Sequence, residues 1–257
     1  MKRIVWLWLS LALAVPAAYA QQGEEKPASQ PTDPVEILKK ADAACKALKA
    51  VTYEVSYEGT GELKARVGRI QAKVVAARLS GKADVLGLGQ KFVVDARITM
   101  PGASEPQHLT IGTDGEKFYV VRHDAKKVHE DVDPAVLGQI GRGVLGAMML
   151  EYLHPAPYDD ELKGKKRELL GSKTIEGVDC HEVHVVYASE GAPEATWYFS
   201  KKDYVPIRRI DQMTLPDGKK GTVEKTASKL EINPKLDEDA FKLKVPEGYT
   251  KTDEPAP

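Results

Sequence analysis

The sequence predicts an α+β fold in which one strongly curved antiparallel sheet wraps on helices. Three observations predict it. Apolar and polar residues alternate along a series of segments joined by short turns; one capped amphipathic helix stands ahead of them; and a second apolar stretch at helical spacing interrupts the series in the middle.

The first twenty residues read as a secretory signal. Lys2 and Arg3 precede an apolar run from Ile4 to Val15, and Ala18-Tyr19-Ala20 offers a small-x-small cleavage site before Gln21. The run is too short to span a bilayer comfortably, and no cysteine follows the cut to accept a lipid. The expectation is a soluble chain, periplasmic or otherwise extracytoplasmic, with no transmembrane segment after cleavage. Residues 21–32 are rich in Gln, Glu, Pro and Ser without an apolar period, which predicts a flexible leader. One domain over residues 33–250 is expected after it, with a disordered tail at 251–257.

Helix signals begin at Asp33. Asp33 as N-cap, Pro34 at the first helical position and Glu36 three residues after the cap form a start signature, and Ile37, Leu38, Ala41, Cys45 and Leu48 follow at helical spacing to a predicted end near Ala50. Strand periodicity then takes over. Val51, Tyr53, Val55 and Tyr57 alternate with Thr52, Glu54, Ser56 and Glu58; residues 65–79 read as a less regular strand; Phe92, Val94, Ala96, Ile98 and Met100 form another apolar row. Asp114-Gly115 between residues 107–113 and 117–123 is a hairpin signal. Beyond residue 168 the pattern predicts a turn at 174–177, strands at 180–187 and 195–199, an interruption at Pro206 and a further strand over 221–232.

The middle insert, residues 133–170, is expected to be helical and to act as a lid. Asp133-Pro134 repeats the start signature, and Leu137, Ile140, Val144, Leu145, Met148, Met149 and Tyr152 lie at steps of three and four. Gly138, Gly141, Gly143 and Gly146 sit within that face; at up to about 1 kcal/mol each relative to Ala they would cost the helix roughly 3 to 4 kcal/mol. A marginal Met-bearing helix suits a movable cover over an apolar cavity, and equally an ordinary core helix packed closely through its glycines. Gly141, Gly143 and Gly146 also match G-x-G-x-x-G, but mid-helix rather than between strand and helix, so no dinucleotide is expected.

Charge and motif searches narrow the function. The chain holds 37 basic and 38 acidic residues, and its one dense basic run, Lys163 to Arg167, is flanked by Asp159, Asp160, Glu161 and Glu168; no nucleic-acid partner is implied. Asp159, Asp160 and Glu161 favour a helix N-terminus running into residues 163–170 over a catalytic carboxylate set. His181-Glu182-Val183-His184 lacks the four-step spacing of a helical metal motif, and on a strand its two histidines face opposite ways. His108, His123, His129 and His154 have no ligand-type neighbours at recognisable spacing, although a fold can gather distant residues. With no G-x-S-x-G elbow, no P-loop and no cysteine in a catalytic context, neither catalysis nor a metal or other cofactor is expected. Cys45 and Cys180 could form one long-range disulfide, worth roughly 4 to 5 kcal/mol in the loop-entropy account, or remain two buried thiols.

The organisation resembles the LolA/LolB-like family of exported bacterial proteins involved in outer-membrane lipoprotein sorting. The resemblance covers nearly all of residues 34–249. It is carried by Ile37-Leu38-Lys39-Lys40-Ala41 through Val51-Thr52-Tyr53, by Asp114-Gly115-Glu116-Lys117-Phe118-Tyr119, by Gly177-Val178-Asp179-Cys180 after Leu169-Leu170-Gly171, by Trp197-Tyr198-Phe199, and by the closing stretch from Phe241 to Tyr249. It implies a half-open barrel whose concave face is covered by helices, with a hydrophobic cavity between, and a non-enzymatic role binding lipid or lipoprotein acyl chains. The glycine-rich insert and charged tail depart from the best-known carriers, and the lipidated cysteine of the receptor is missing. The expected ligand-facing residues are Tyr53, Val55, Tyr57, Phe92, Val94, Ile98, Met148, Met149, Trp197 and Phe199; a sealed core is the plainer role for the same set. A ligand-free envelope sensor or scaffold, with an envelope protein as partner, is the second reading, and an exported hydrolase the third.

Overall fold

The computed structural model describes residues 32–79, 89–133, 142–189, 193–215 and 217–252. The signal segment, nearly all of the leader, residues 134–141 of the insert and residues 253–257 of the tail lie outside them.

Helix α1 spans Pro34–Ala47. Its start is the one the sequence predicts: the Asp33 carboxylate accepts from the Val35 amide at 2.9 Å, satisfying one of the donors a helix N-terminus leaves open. Its end comes three residues early. Leu48 is extended, and Arg78 reaches across to donate from Nε to the Leu48 carbonyl and from Nη2 to that of Cys45, both at 3.1 Å, so a cation closes the negative end of the helix. Ile37, Leu38, Ala41 and Cys45 form the buried stripe.

Twelve strands form one sheet. They are β1 (Ala50–Gly61), β2 (Arg69–Arg78), β3 (Gln90–Thr99), β4 (Gln107–Thr113), β5 (Phe118–Arg122), β6 (Lys127–Glu130), β7 (Lys166–Ile175), β8 (Val178–Val186), β9 (Glu194–Ser200), β10 (Pro206–Thr214), β11 (Lys220–Ile232) and β12 (Thr250–Lys251). Their order is β12-β6-β5-β4-β3-β2-β1-β11-β10-β9-β8-β7, antiparallel throughout except for the β12–β6 pair. The sheet is curved and does not close. The β1–β11 pair joins its two antiparallel runs, setting Val51 opposite Ile232 and Gly61 opposite Gly221. Asn233 pins the start of this seam: its side-chain oxygen accepts from Lys49 N at 2.7 Å and Ala50 N at 3.3 Å.

Turn chemistry follows the residues. At Asp114-Gly115 the carboxylate accepts from the amides of Glu116 and Lys117 while Gly115 adopts φ 102°, so the expected hairpin forms with a four-residue connection. Glu176 and Gly177, at φ 49° and 78°, make the two-residue turn that brings Ile175 opposite Val178.

Several expectations are corrected. Pro206 begins β10 rather than interrupting the sheet, because the first residue of a strand can forgo its amide donor. The helix expected from Asp159 lasts one turn, α3 (Asp159–Leu162), and residues 166–170, expected within the helical lid, belong to edge strand β7. Among the described residues of the insert, α2 covers Arg142–Ala147; Met149 leaves helical geometry at ψ 75° and a 3-10 turn follows at Leu150–Tyr152. The boundary expected at residue 250 falls inside β12.

Residues of β1–β5, β8 and β9 share one core with α1, α2 and the segment after it, so the sheet bends around its helices. A smaller cluster lies on the opposite face, where Tyr119, Val121 and Val128 meet Leu243 and Tyr249.

Candidate functional site

The helix-bearing face of the sheet brings together all ten residues that the sequence singled out. Tyr53, Val55 and Tyr57 stand on β1, Phe92, Val94 and Ile98 on β3, Trp197 and Phe199 on β9, and Met148 and Met149 in the bend between α2 and the 3-10 turn. All ten contribute to one core; Tyr57 and Ile98 are half-buried and the other eight are buried. Alternation explains this placement, since residues two apart on a strand share a face. The aromatic members make oriented contacts. Tyr53 meets the Tyr152 ring edge-on at 5.2 Å, Tyr158 does the same to Trp197 at 5.4 Å, and Trp197 stacks beside Phe199 at 5.8 Å.

The described side chains of this face pack against one another. A concavity of about 540 Å³ lies instead at the rim, between Thr60, Glu194, Gln212 and Lys220, and a groove of about 370 Å³ crosses the opposite face. Of the ten residues only Val55 borders either of them.

Polar contacts fasten the residues after α2 to the sheet. The Tyr53 hydroxyl accepts from the Met149 amide at 3.0 Å, Lys225 Nζ donates to the Met148 carbonyl at 3.3 Å, and the Tyr152 hydroxyl donates to the Pro206 carbonyl at 2.6 Å. Glu151 adds a largely enclosed ion pair, its side chain 13% and that of Arg209 19% exposed. Its Oε1 accepts from Arg209 Nη1 at 3.3 Å and lies 4.0 Å from Lys225 Nζ, while Arg209 Nε donates to Asp211 at 2.7 Å. The Arg209 guanidinium rests over the Trp197 ring, 4.7 Å from its centroid. Burial works against ionisation of Glu151, but the charges of Lys225 and then Arg209 outweigh it and hold the carboxyl below its ordinary range. The second carboxylate oxygen, Oε2, is buried without a hydrogen-bond partner.

Glu161, at the end of the cover, is the opposite case. Burial raises its carboxyl above the ordinary range, although the Tyr187 hydroxyl donates to it at 2.6 Å. Two carboxylates ten residues apart are thus pushed in opposite directions: Glu151 has both Lys225 and Arg209 to outweigh its burial, whereas the charge of Arg209 is too little to do so for Glu161.

Sequence reasoning did not single out Glu151, Arg209 and Lys225. The available signal was an isolated charge inside the apolar run Met148-Met149-Leu150-Glu151-Tyr152, but its partners come from strands far along the chain. Cys45 and Cys180 are free thiols, so the disulfide is not formed. Each is buried in its own setting: Cys45 faces the core from α1, and Cys180 Sγ lies 3.4 Å from the Val178 carbonyl at the start of β8. His181 is buried and stacks on Tyr204 at 5.8 Å, whereas His184 pairs with Glu194 at 3.2 Å. The two do not converge.

No protein-family model matches the chain, and no curated protein matches it in sequence. Solved structures do resemble it in shape. The Mycobacterium tuberculosis lipoprotein LppX is 15% identical, with 80% of this chain and 97% of that one covered at a TM-score of 0.44. The LolA superfamily protein NE2245 from Nitrosomonas europaea is 12% identical, with 83% and 99% covered at 0.36. MucB, from the Pseudomonas aeruginosa MucA/MucB complex, is 9% identical, with 82% and 61% covered at 0.44; the chain spans about three-fifths of its length.

Proposed function

We propose that the protein is a non-enzymatic, extracytoplasmic carrier that accommodates an acyl chain of a lipid or lipoprotein between the sheet and the cover formed by residues 142–162. One observation carries this reading: the cover lies on a largely apolar sheet face and is fastened there by a small set of polar contacts from Tyr53, Lys225, Tyr152 and Glu151. Magnitudes allow it to open. The polar fastening is small, three hydrogen bonds at about 1 kcal/mol each and one ion pair; the cover's buried side chains, Val144, Met148, Met149 and Tyr152 among them, must also leave the core, and an acyl chain would take their place against the sheet. An acyl chain of about 14 methylenes, at about 0.8 kcal/mol each, gains roughly 11 kcal/mol by leaving water. Tyr53, Val55, Phe92, Val94, Met148, Met149, Trp197 and Phe199, now packed on each other, would then line the chain, with Tyr57 and Ile98 at its edge.

The close packing of those residues in the closed form favours a second reading, a ligand-free sensor or scaffold that meets an envelope protein through its surface. Mass spectrometry of lipids extracted from untagged protein, purified from the envelope of the producing cell, separates the two. Acyl lipid at near one per chain supports the carrier. Protein that emerges empty and also fails to take up a fluorescent fatty acid would overturn it.

A further inference from the structure

The face of the sheet opposite the cover carries a group that no spacing in the sequence foreshadows. Asp95 on β3, His108 on β4 and His123 just after β5 stand side by side because Arg97 pairs with His108, Asp95 pairs with Thr110, and the His123 amide donates to the His108 carbonyl at 3.0 Å. Asp95 Oδ1 lies 2.5 Å from His108 Nε2, and one ligand atom from each of the three residues falls within 4.8 Å of the others. His123 is held on both sides: Nε2 lies 2.8 Å from Thr110 Oγ1 and Nδ1 lies 3.0 Å from the Tyr249 hydroxyl.

We propose that Asp95, His108 and His123 form a binding site for a single divalent transition-metal ion of the Zn²⁺ class. Two imidazoles and one carboxylate are a donor set that suits a borderline ion and leaves a position for water, whereas Ca²⁺ and Mg²⁺ require an oxygen-rich cage. The surroundings fit such a site. The Tyr249 hydroxyl is placed to accept a hydrogen bond from His123 Nδ1–H, which fixes the tautomer with a lone pair on Nε2; Thr110 Oγ1, now 2.8 Å from that nitrogen, must yield to the metal. The ion takes the place of the hydrogen bond between His108 Nε2 and Asp95 Oδ1, and the remaining imidazole proton then sits on His108 Nδ1. Metal–ligand bonds of about 2.0–2.2 Å set ligand atoms roughly 3.3 Å apart. The rings, now stacked at 3.9 Å, must therefore turn out of parallel to converge. The Asp95 side chain is 54% exposed, which gives the ion an entry path. Arg97 on the same face opposes a cation, and the Asp124 carboxylate, which accepts from the His108 amide at 3.0 Å, offsets it.

Isothermal titration of the untagged protein with ZnCl₂ tests the assignment, with CaCl₂ as the comparison. Expected are one Zn²⁺ per chain at micromolar or tighter affinity, no binding of Ca²⁺, and a loss of at least about tenfold in Asp95→Asn and His123→Ala. His154→Ala, outside the cluster, should bind as the parent does. Asp95→Asn changes an exposed strand residue and guards against misfolding of the histidine variant, and circular dichroism checks both. Absence of Zn²⁺ binding by the parent up to millimolar concentration, or unchanged affinity in Asp95→Asn, would overturn the proposal.

Discussion

Glu151 and Arg209 meet at 3.3 Å beneath the cover, a carboxylate and a guanidinium withdrawn from water together and closed over by the Trp197 ring. The pair joins the one segment that interrupts the sheet to strand β10 at its middle, and Lys225 on β11 stands close enough to share the charge. Removing the carboxylate alone would leave two cations facing an apolar interior, with Asp211 as the nearest remaining counter-charge for Arg209.

Glu151→Gln is therefore expected to lower stability by about 3 kcal/mol at pH 7, the scale on which a buried ion pair is broken from one side. Urea unfolding measures it, and a loss below about 1 kcal/mol would show that the pair holds nothing. The pH dependence has a definite sign. A carboxyl whose folded pKa is depressed contributes stability above its unfolded value, near 4.5, and loses it as pH falls through the folded value. The acid limb of the parent's stability curve should accordingly flatten in this variant.

Glu161→Gln should behave in the opposite way. Burial raises the folded pKa of Glu161, so its contribution is present below the unfolded value and lost as pH rises through the raised one. An amide keeps the acceptor for the Tyr187 hydroxyl and carries no charge. At pH 7 the variant is expected to match the parent or exceed it by up to about 1 kcal/mol. A marked loss in the same urea assay would contradict the assigned sign.

Tyr53→Phe removes the acceptor of the Met149 amide and leaves the ring in place. Amide exchange over residues 142–153 should quicken while the β1 amides keep their protection, because one fastening of about 1 kcal/mol is gone from the cover alone. Under the carrier reading, the same variant takes up a fluorescent fatty acid faster than the parent. Uptake at the parental rate together with faster exchange would separate motion of the cover from ligand entry.

Both thiols should resist labelling in the native protein. Burial pushes Cys45 up to about 12 and Cys180 up to about 11, so neither supplies thiolate near neutral pH. Titration with a thiol-specific chromogenic disulfide is expected to count none under native conditions and two in denaturant without reductant. Fewer than two in denaturant would mean that the cysteines pair.

Gly59→Ala tests a close approach on β1. A Cβ there would lie 2.7 Å from the Leu63 carbonyl oxygen and 2.8 Å from Val67 Cβ. Backbone cannot retreat cheaply from such a contact, so a loss of about 1 to 3 kcal/mol is expected from the urea midpoint. An unchanged midpoint would mean that the 62–67 turn is loose.

What could be read from the sequence was whatever local chemistry decides. The Asp33 cap, the alternation of β1 and β3 and the Asp114-Gly115 turn each depend on residues within a few positions of one another. The sequence reading failed where position in the sheet decides. β6 is four residues of mixed character, yet Val128 and His129 are both buried. β7, at an edge, buries little and keeps its charges, so it has no apolar row to betray it. The same limit hid the polar fastening of the cover and the Asp95–His108–His123 group. Their members lie on different strands, and only the register sets them side by side.

The pairing of β1 with β11 has a consequence for how the protein comes into being. Residues near 51 must find residues near 232 before the two runs of strands become one sheet. A chain synthesised from its amino end therefore cannot complete its architecture until almost all of it has emerged. Topologies with such distant partners are slow to organise, and here the wait would leave the edge of β1 unpaired, open to any other extended segment, until β11 arrives.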